Sequence, residues 1–374
     1  MHGGSWDGVT GERGAADGSP VRPLIDFSVS VNAFGPAPVV LDALSRVAPD
    51  HYPDPRSTAA RRAAAARWGR APTEIAFGAG ASELLQAIAT AFVRRRDRVL
   101  VPAPAYGEYA RAAALCGARV HTVAANDRHA MAIATLIDAV ADARPRIVFV
   151  CAPNNPTGAR VPRDVLSRLA DACAASGALL VLDQSYDAFD AAPLGTPALP
   201  GHPAVLHLRS ITKDHALAGV RAGFLVGPAP LIHAVERARA PWAASAYAQA
   251  AAEAALSDAG IAHVAETTAR VRSERARLAE TLRAAGVPTV ASDTHLLLIE
   301  VGDASRVQRR LLAEHAIGVR DATSFGLPEH VRIAARTPAE NDALAAALCA
   351  VMHRDAAPPA SSPHRTLALP PATP

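Results

Sequence analysis

The sequence predicts an α/β fold with a mainly parallel sheet, followed by a smaller α+β domain. Between residues 75 and 211, short apolar runs alternate with amphipathic helical stretches. Strands this short and this continuously apolar are expected where helices cover both faces of a sheet. A long Arg/Glu-rich helical stretch over 262–284 is then followed, up to 352, by a strand, a helix, short strands and a helix. The 374 residues are enough for two or three domain-sized cores.

The individual elements follow from the local patterns in chain order. Residues 24–31 alternate as a strand, and helices are predicted over 39–47 and 58–69. The later strands are predicted at 98–101, 119–123, 146–151, 178–182, 205–208 and 222–226, and the helices between them at 106–116, 134–141 and 163–175. The Pro/Ala/Ser-rich tail over 355–374 lacks periodicity and is expected to be disordered.

Composition narrows the classes of function. The net charge is only +3 and the arginines are dispersed, which argues against a nucleic-acid partner. The four cysteines lie far apart in apolar segments, which favours buried free thiols over metal ligands, and no His-Glu-x-x-His motif indicates a metal site. No apolar run is long enough for a membrane span, and no signal pattern opens the chain. We therefore expect a cytoplasmic protein without metal, membrane or nucleic acid.

Lys213 lies on a loop between two predicted strands. The sequence of this stretch, over residues 210–221, is Ser-Ile-Thr-Lys-Asp-His-Ala-Leu-Ala-Gly-Val-Arg. An amine that is positioned and partly desolvated has a lowered pKa and can act as a nucleophile. Ser210, Thr212 and Arg221 supply donors for a dianionic phosphate. The stretch thus indicates a Schiff base with a phosphorylated aldehyde, pyridoxal 5′-phosphate (PLP). By itself the stretch is weak evidence, because most Ser-x-Thr-Lys runs are solvated loops.

Polar residues also stand at the carboxyl ends of two buried strands, where α/β sheets bind ligands. Asn155 belongs to Cys-Ala-Pro-Asn-Asn-Pro-Thr-Gly over 151–158, and Asp183 follows the apolar run 179–182. A buried carboxylate is costly unless it meets a cation, and a protonated pyridine nitrogen is such a cation. Tyr186, three residues on, can donate to a phenolate oxygen. Asp183 as a simple cap of the next segment remains the alternative.

Two further stretches fit a cofactor less specifically. Gly80, Ala81 and Ser82 precede an apolar helix, and such small residues let first-turn amides approach an anion. Tyr106 follows Pro102-Ala103-Pro104, a rigid lead that can hold the ring flat against a cofactor. An ordinary capped helix start and a core aromatic residue are the alternatives.

The chain resembles the class I/II aminotransferase superfamily of PLP enzymes, fold type I. The resemblance lies in the order and spacing of Asn155, Asp183, Tyr186, Lys213 and Arg221. The resemblance covers residues 24–352. It implies an aspartate-aminotransferase-like fold, with a three-layer α/β/α large domain and a smaller α+β domain. The implied catalytic residues are Lys213, Asp183 and Tyr186. Lys213 is also implied to move the proton between Cα of the substrate and C4′ of the cofactor.

The resemblance also assigns the cofactor contacts. Asp183 pairs with the pyridine nitrogen, Asn155 and Tyr186 bond the phenolate oxygen, and Tyr106 stacks on the ring. The phosphate is held by Gly80, Ala81, Ser82, Ser210, Thr212 and Arg221. Tyr52 reaches the phosphate of the neighbouring subunit, which implies a homodimer with shared sites.

Substrate contacts and domain bounds follow in the same way. Arg332 is implied to clamp an acidic group of the substrate, with Arg320 as a second candidate unless it is a surface ion pair. Asn32 and His2 are the other expected substrate ligands. The implied domains are an N-terminal segment over 1–45 that joins the small domain and the active site, a PLP-binding domain over 46–250, and a small domain over 251–354.

Within the superfamily, the chain resembles the histidinol-phosphate aminotransferases and the cobalamin-pathway threonine-phosphate decarboxylases. His2-Gly3-Gly4 and Pro241-Trp242 favour the decarboxylases, whereas Gln184-Ser185 and His295 depart from their pattern. The substrate bond held perpendicular to the cofactor ring is the one that breaks, so a small change in orientation decides the reaction. We rank first an aminotransferase for a small amino acid or amine that bears a carboxylate or phosphate, with the decarboxylase as the alternative.

Three other readings stay open at this point. An oxygen-consuming variant shares the same cofactor ligands, and so does a side-chain lyase. A PLP-sensing regulator would need a DNA-binding domain, for which the first 23 residues are too short.

Overall fold

The computed structural model describes residues 23–124, 129, 131 and 133–356, with side chains up to Met352. The strands are β1 (Ile25–Asp26), β2 (Ile75–Gly78), β3 (Arg98–Ala103), β4 (Arg119–Ala124), β5 (Ile147–Cys151), β6 (Leu179–Asp183), β7 (Val205–Ser210), β8 (Gly223–Val226), β9 (Leu296–Glu300), β10 (Ile317–Gly318), β11 (Arg320–Asp321) and β12 (His330–Ala334). The helices are α1 (Pro38–Ser45), α2 (Thr58–Trp68), α3 (Ala81–Phe92), α4 (Glu108–Leu115), α5 (Ile133–Ala143), α6 (Arg163–Ala175), α7 (Ala229–Arg237), α8 (Ala246–Ala255), α9 (Asp258–Ala284), α10 (Ala304–His315) and α11 (Pro338–Ala356).

A seven-stranded sheet in the order β2-β8-β7-β6-β5-β3-β4 forms the centre of the large domain. Neighbouring strands run parallel except for β8, which is antiparallel to both β2 and β7. Alternate residues of β5 enter different cores, with Phe149 packed on one face and Val148 and Val150 on the other. Helices thus cover both faces, which confirms the predicted α/β fold with a mainly parallel sheet.

The small domain is built on an antiparallel sheet in the order β11-β12-β9, with α10 and α11 packed beside it. Helix α9, 27 residues long, leads into it. It begins four residues before the predicted start, because the Ser257 hydroxyl accepts a bond from the Gly260 amide and caps the helix there.

The predicted strand over 24–31 is wrong in length, since only Ile25 and Asp26 pair, in parallel with β10 of the small domain. The chain then leaves the sheet, and the Asn32 amide donates to the Lys213 carbonyl at 2.8 Å. An alternating pattern marks residues that are half-buried, and here Ile25 and Phe27 pack into the core of the small domain without extending the strand. The N-terminal segment therefore runs from the small domain to the carboxyl edge of the large sheet.

The last helix continues to Ala356, two residues into the predicted tail. The rest of that tail and the first 22 residues, including His2, lie outside the described residues. No helix in the described part of the chain has the length and apolar character needed to cross a membrane.

Candidate active site

A cavity of about 300 Å³ lies at the carboxyl edge of the large sheet, between the two domains. Its lining brings together most of the residues predicted from the sequence: Ala81, Ser82, Tyr106, Asn155, Asp183, Tyr186, Ser210, Thr212, Lys213, Arg221 and Arg332. Four other predicted residues do not line it: Asn32, Tyr52, Gly80 and Arg320. Parallel strands end at one edge, so residues distant in sequence meet there.

One end of the cavity is formed by the start of α3 and the loop after β7. Gly80 caps α3 with φ +87°, and a Cβ added there would lie 2.9 Å from Nη2 of Arg221. The absence of a side chain therefore lets the guanidinium reach the helix N-terminus. The hydroxyl oxygens of Ser210 and Thr212 lie 2.5 Å apart beside it. Helix amides, two hydroxyls and an arginine form a donor set suited to a phosphate dianion.

Asp183 ends β6 and is buried, with donors on both carboxylate oxygens. Oδ1 accepts from the Ser185 amide at 2.9 Å and the Ser185 hydroxyl at 2.5 Å, and Oδ2 accepts from the Tyr109 hydroxyl at 2.8 Å. Burial raises the pKa of Asp183, while these hydrogen bonds and the charge of Lys213 oppose the rise. No cation of the described chain forms an ion pair with it. The carboxylate is held by neutral donors, which suits a protonated ring nitrogen as its charge partner.

Lys213 lies on the loop between β7 and β8 and faces the same cavity. Burial, and then the nearby charges of Arg332 and Arg221, lower the pKa of Lys213 to about 8, and Asp183 opposes this. A lysine with this pKa is partly unprotonated near neutral pH, so its amine can attack an aldehyde.

Tyr186 and Tyr106 flank the cavity. Burial raises the pKa of the Tyr186 phenol, with the charge of Arg332 opposing, so the hydroxyl remains a donor. Burial also raises the pKa of Tyr106, whose hydroxyl bonds the Ser82 side chain. The Tyr106 ring meets the Tyr109 ring edge-on, at 5.6 Å and 85°. The contact fixes the orientation of an aromatic face at the cavity.

Arg332 enters the cavity from β12 of the small domain. Its Nη1 donates to Oδ1 of Asn155 at 2.8 Å and its Nη2 donates to the Ser28 carbonyl, while its buried Nε has no partner in the described structure. Burial is the main cause that lowers the pKa of Arg332 to about 10, so the group is still charged at neutral pH. No carboxylate of the described residues pairs with this cation.

Arg320 lies directly opposite Arg332 in the antiparallel pair of β11 and β12, so both side chains project from one face of the sheet. Its Nη2 donates to the Ser324 hydroxyl at 2.7 Å, and the guanidinium carbon lies 5.5 Å from the Phe325 ring centre. The structure thus holds a second cation next to the cavity without lining it.

Asn32 holds the loop that carries Lys213 in place through hydrogen bonds. Its Nδ2 donates to the Asp214 carbonyl at 2.9 Å and to the Thr267 hydroxyl at 2.8 Å, and its Oδ1 accepts from the Phe34 amide at 3.1 Å. These contacts join the N-terminal segment to the lysine loop and to α9.

Tyr52 is 85% exposed, and its ring lies against that of Trp242, with centres 5.3 Å apart and planes tilted by 42°. Within one chain it is not part of the cavity.

Sequence reasoning missed Tyr109, Ser185, Ser28 and Ser30, which also line the cavity. Tyr109 follows Tyr106 by three residues, the spacing of one helical turn, although α4 begins only at Glu108. Ser185 follows Asp183 by two residues, the spacing of an Asx-turn. These spacings were the available signals.

Two buried histidines complete the surroundings. Burial lowers the pKa of His215, and it lowers that of His295 to about 3, so both rings are neutral. His295 stacks on Phe189 at 3.6 Å, and its Nε2 lies 3.3 Å from the Ser30 carbonyl. No group of three or more metal-ligating side chains occurs among the described residues.

Comparison with known proteins agrees with this site. The family described as aminotransferase class I and II matches residues 22–348. A histidinol-phosphate aminotransferase from Halorubrum lacusprofundi is 34% identical, over 84% of this chain and 85% of the relative. The solved histidinol-phosphate aminotransferase from Sinorhizobium meliloti, in complex with pyridoxal-5′-phosphate, is 30% identical with a TM-score of 0.81, over 88% of this chain and 90% of that one.

A second solved structure represents the other predicted branch. The L-threonine-O-3-phosphate decarboxylase from Porphyromonas gingivalis is 26% identical with a TM-score of 0.76, over 87% of this chain and 99% of that one. Both branches thus share this fold. Because the family match spans most of the sequence and the cavity gathers the residues that the motifs predicted, the chain belongs to the class I and II aminotransferases, which are PLP-dependent enzymes.

Proposed function

We propose that this enzyme transfers the amino group of a small phosphate-bearing amino acid or amine. The observation that carries the substrate class is Arg332, which brings to the cavity a buried, charged guanidinium that has no acidic partner among the described residues. Arg320 lies beside it on the same face of the sheet. A guanidinium pairs with phosphate or carboxylate through two parallel hydrogen bonds. The relatives named above act, by their names, on phosphorylated compounds, which supports the same class here.

The residues of the cavity fit PLP, which supplies an electron sink when bound. Ser210, Thr212 and Arg221 would hold its phosphate with the α3 amides, and Asp183 would face its ring nitrogen. Asn155 and Tyr186 would bond its phenolate oxygen, and Tyr106 would stack on the ring.

Lys213 is proposed to carry the cofactor and to move the substrate proton. Its lowered pKa, about 8, lets the amine take up and return a proton near neutral pH. Arg332 fixes the acidic group of the substrate, and with it the bond that is aligned for cleavage. The position of that clamp separates proton loss from loss of CO₂.

Product analysis tests the proposal. Purified protein is incubated with threonine phosphate, histidinol phosphate and their dephosphorylated counterparts, with and without 2-oxoglutarate. Glutamate that forms only with the oxo acid, and chiefly from the phosphorylated compounds, is the expected result. CO₂ with the matching amine, independent of the oxo acid, would instead establish the decarboxylase.

We further propose a homodimer in the cytoplasm. Tyr52 is highly exposed, and it packs against Trp242, which is also exposed, so that two large aromatic side chains face solvent together. An exposed apolar surface is typical of a protein interface. A partner chain bound there would allow Tyr52 to reach the cofactor phosphate in the partner's active site. The four cysteines are free, as is usual in a reducing compartment.

A further inference from the structure

We propose that Tyr109 is a positioning residue, whose hydroxyl holds the Asp183 carboxylate in the orientation and ionised form that the ring nitrogen of the cofactor requires. The inference rests on the role of Asp183 in the proposed function. Its basis is the hydrogen bond from Tyr109 to Oδ2 of Asp183, 2.8 Å long and fully buried.

The Tyr109 ring has little freedom to move. It is 1% exposed and lies nearly parallel to the Phe149 ring of β5, with centres 5.4 Å apart and 7° between planes. Tyr106 meets its other side edge-on. The ring is therefore held between α4 and the sheet, and its hydroxyl is presented to Asp183 from a fixed point.

The start of α4 then serves two cofactor contacts. Tyr106 lies two residues before the helix and lines the cavity, and Tyr109 in the first turn donates to the carboxylate. The Tyr106 carbonyl accepts from the Tyr109 amide at 3.4 Å, so a shift of the helix start would move the stacking ring and the carboxylate's donor together.

The groups that donate hydrogen bonds to Asp183 are neutral, so the carboxylate keeps its negative charge for the ring nitrogen. The Tyr109 hydroxyl, the Ser185 hydroxyl and the Ser185 amide stabilise the charged carboxylate without cancelling its charge. An arginine or lysine at the position of Tyr109 would compete with the ring nitrogen for that charge. Burial raises the pKa of Tyr109 well above its ordinary range, so the phenol stays a donor.

The test compares two cofactors bound by the apoprotein. PLP carries the ring nitrogen, whereas 1-deazapyridoxal 5′-phosphate has a carbon in its place and the same aldehyde and phosphate. Binding is measured by fluorescence titration for wild type, Tyr109→Phe, Asp183→Asn and Tyr247→Phe. Tyr247 lies on α8 and is 41% exposed, so Tyr247→Phe is the matched loss of a tyrosine hydroxyl away from the site.

We expect Tyr109→Phe to weaken PLP binding about tenfold or more, while affinity for the deaza analogue changes by less than about twofold. Loss of a donor to the charged form raises the pKa of Asp183. The acid-side decline of PLP affinity should therefore move up by about one pH unit. Tyr247→Phe should behave as wild type in both titrations.

Four results would overturn the inference or its foundation. An equal loss for both cofactors would mean that Tyr109 only packs, and no loss for either would mean that its hydroxyl has no role. If Asp183→Asn keeps the preference for PLP over the analogue, the proposed role of Asp183 fails. If Asp183→Asn loses that preference while Tyr109→Phe retains it, the proposed function stands and the role of Tyr109 alone is refuted.

Discussion

Replacement of Arg332 by glutamine is the sharpest test of the substrate class. The guanidinium is 5% exposed, and its hydrogen bonds go to the neutral oxygens of Asn155 and Ser28, with Nε unpartnered. A buried cation with no carboxylate partner in the described chain is stabilised most when a ligand supplies the negative charge. Glutamine removes the charge and keeps an amide that can still donate to Asn155, so the neighbouring cofactor contact suffers less than with alanine.

The expected magnitude follows from the kind of bond that is lost. A hydrogen bond to a charged group contributes about 1.5–3 kcal/mol, which corresponds to a rise of about 10- to 150-fold in KM for the acidic substrate. Because the substrate is held before and during the reaction by the same pair, kcat should change less than KM.

The assay measures kcat/KM with a phosphorylated amine and with the same amine lacking the phosphate. Wild type should prefer the phosphorylated compound strongly, and Arg332→Gln should lose most of that preference. Arg320→Gln is the matched comparison, because Arg320 shares the sheet face and is held by Ser324 outside the cavity lining. We expect a KM effect below about fivefold there, because Arg320 does not line the cavity and its Nη2 already donates to the Ser324 hydroxyl.

An unchanged preference in Arg332→Gln would refute the clamp. So would a loss of cofactor absorbance with KM unaltered, because Arg332 would then belong to the cofactor site. An equal effect of Arg320→Gln would show that the two arginines bind the acidic group jointly.

The remaining predictions concern the cofactor and the dimer. Lys213→Ala should abolish the visible absorbance of the lysine-bound cofactor, and an unchanged spectrum would exclude this lysine as the attachment point. The rate at which apoprotein binds PLP should rise with pH through a midpoint near the lowered pKa of Lys213, about 8, since the unprotonated amine is the reactive form; a midpoint above pH 10 would show an ordinary lysine. Mixing inactive Lys213→Ala and Tyr52→Ala chains should restore about a quarter of wild-type activity, because one site of each mixed dimer regains both residues. No recovery would place Tyr52 in its own chain's site or outside any site.

The sequence predicted the large domain well because its signals are local. Apolar runs such as 147–151 and 179–183 form fully buried strands. Asp183 ends the second strand, Asn155 follows the end of the first by four residues, and both line the cavity. The sheet registers Cys151 opposite Asp183, so the two motifs that follow them lie at one edge. Order along the chain was enough to predict this, given parallel strands.

Roles that depend on distant contacts could not be read in the same way. Asn32 was predicted to bind substrate, but its side-chain amide bonds the Asp214 carbonyl and Thr267, residues far away in sequence. The residue types alone do not separate Asn154 from Asn155, and it was the family resemblance that selected Asn155. In the structure Asn154 donates to the Pro104 carbonyl, and Asn155 lines the cavity. A pattern of residue types specifies which polar groups are present, and the packing of the chain decides where each one points.

The charges of the cavity explain why a phosphate at each end would stabilise it. Lys213, Arg221 and Arg332 are three cations around a single acid, Asp183, and the two arginines both help to lower the pKa of Lys213. An anion on Arg221 would remove part of this repulsion, and an anion on Arg332 would remove another part. Each should therefore raise the pKa of Lys213, so the amine is most nucleophilic before the cofactor binds and most able to keep a proton once the substrate's acidic group is in place. The same lysine would thereby change from nucleophile to proton carrier as the two anionic groups arrive.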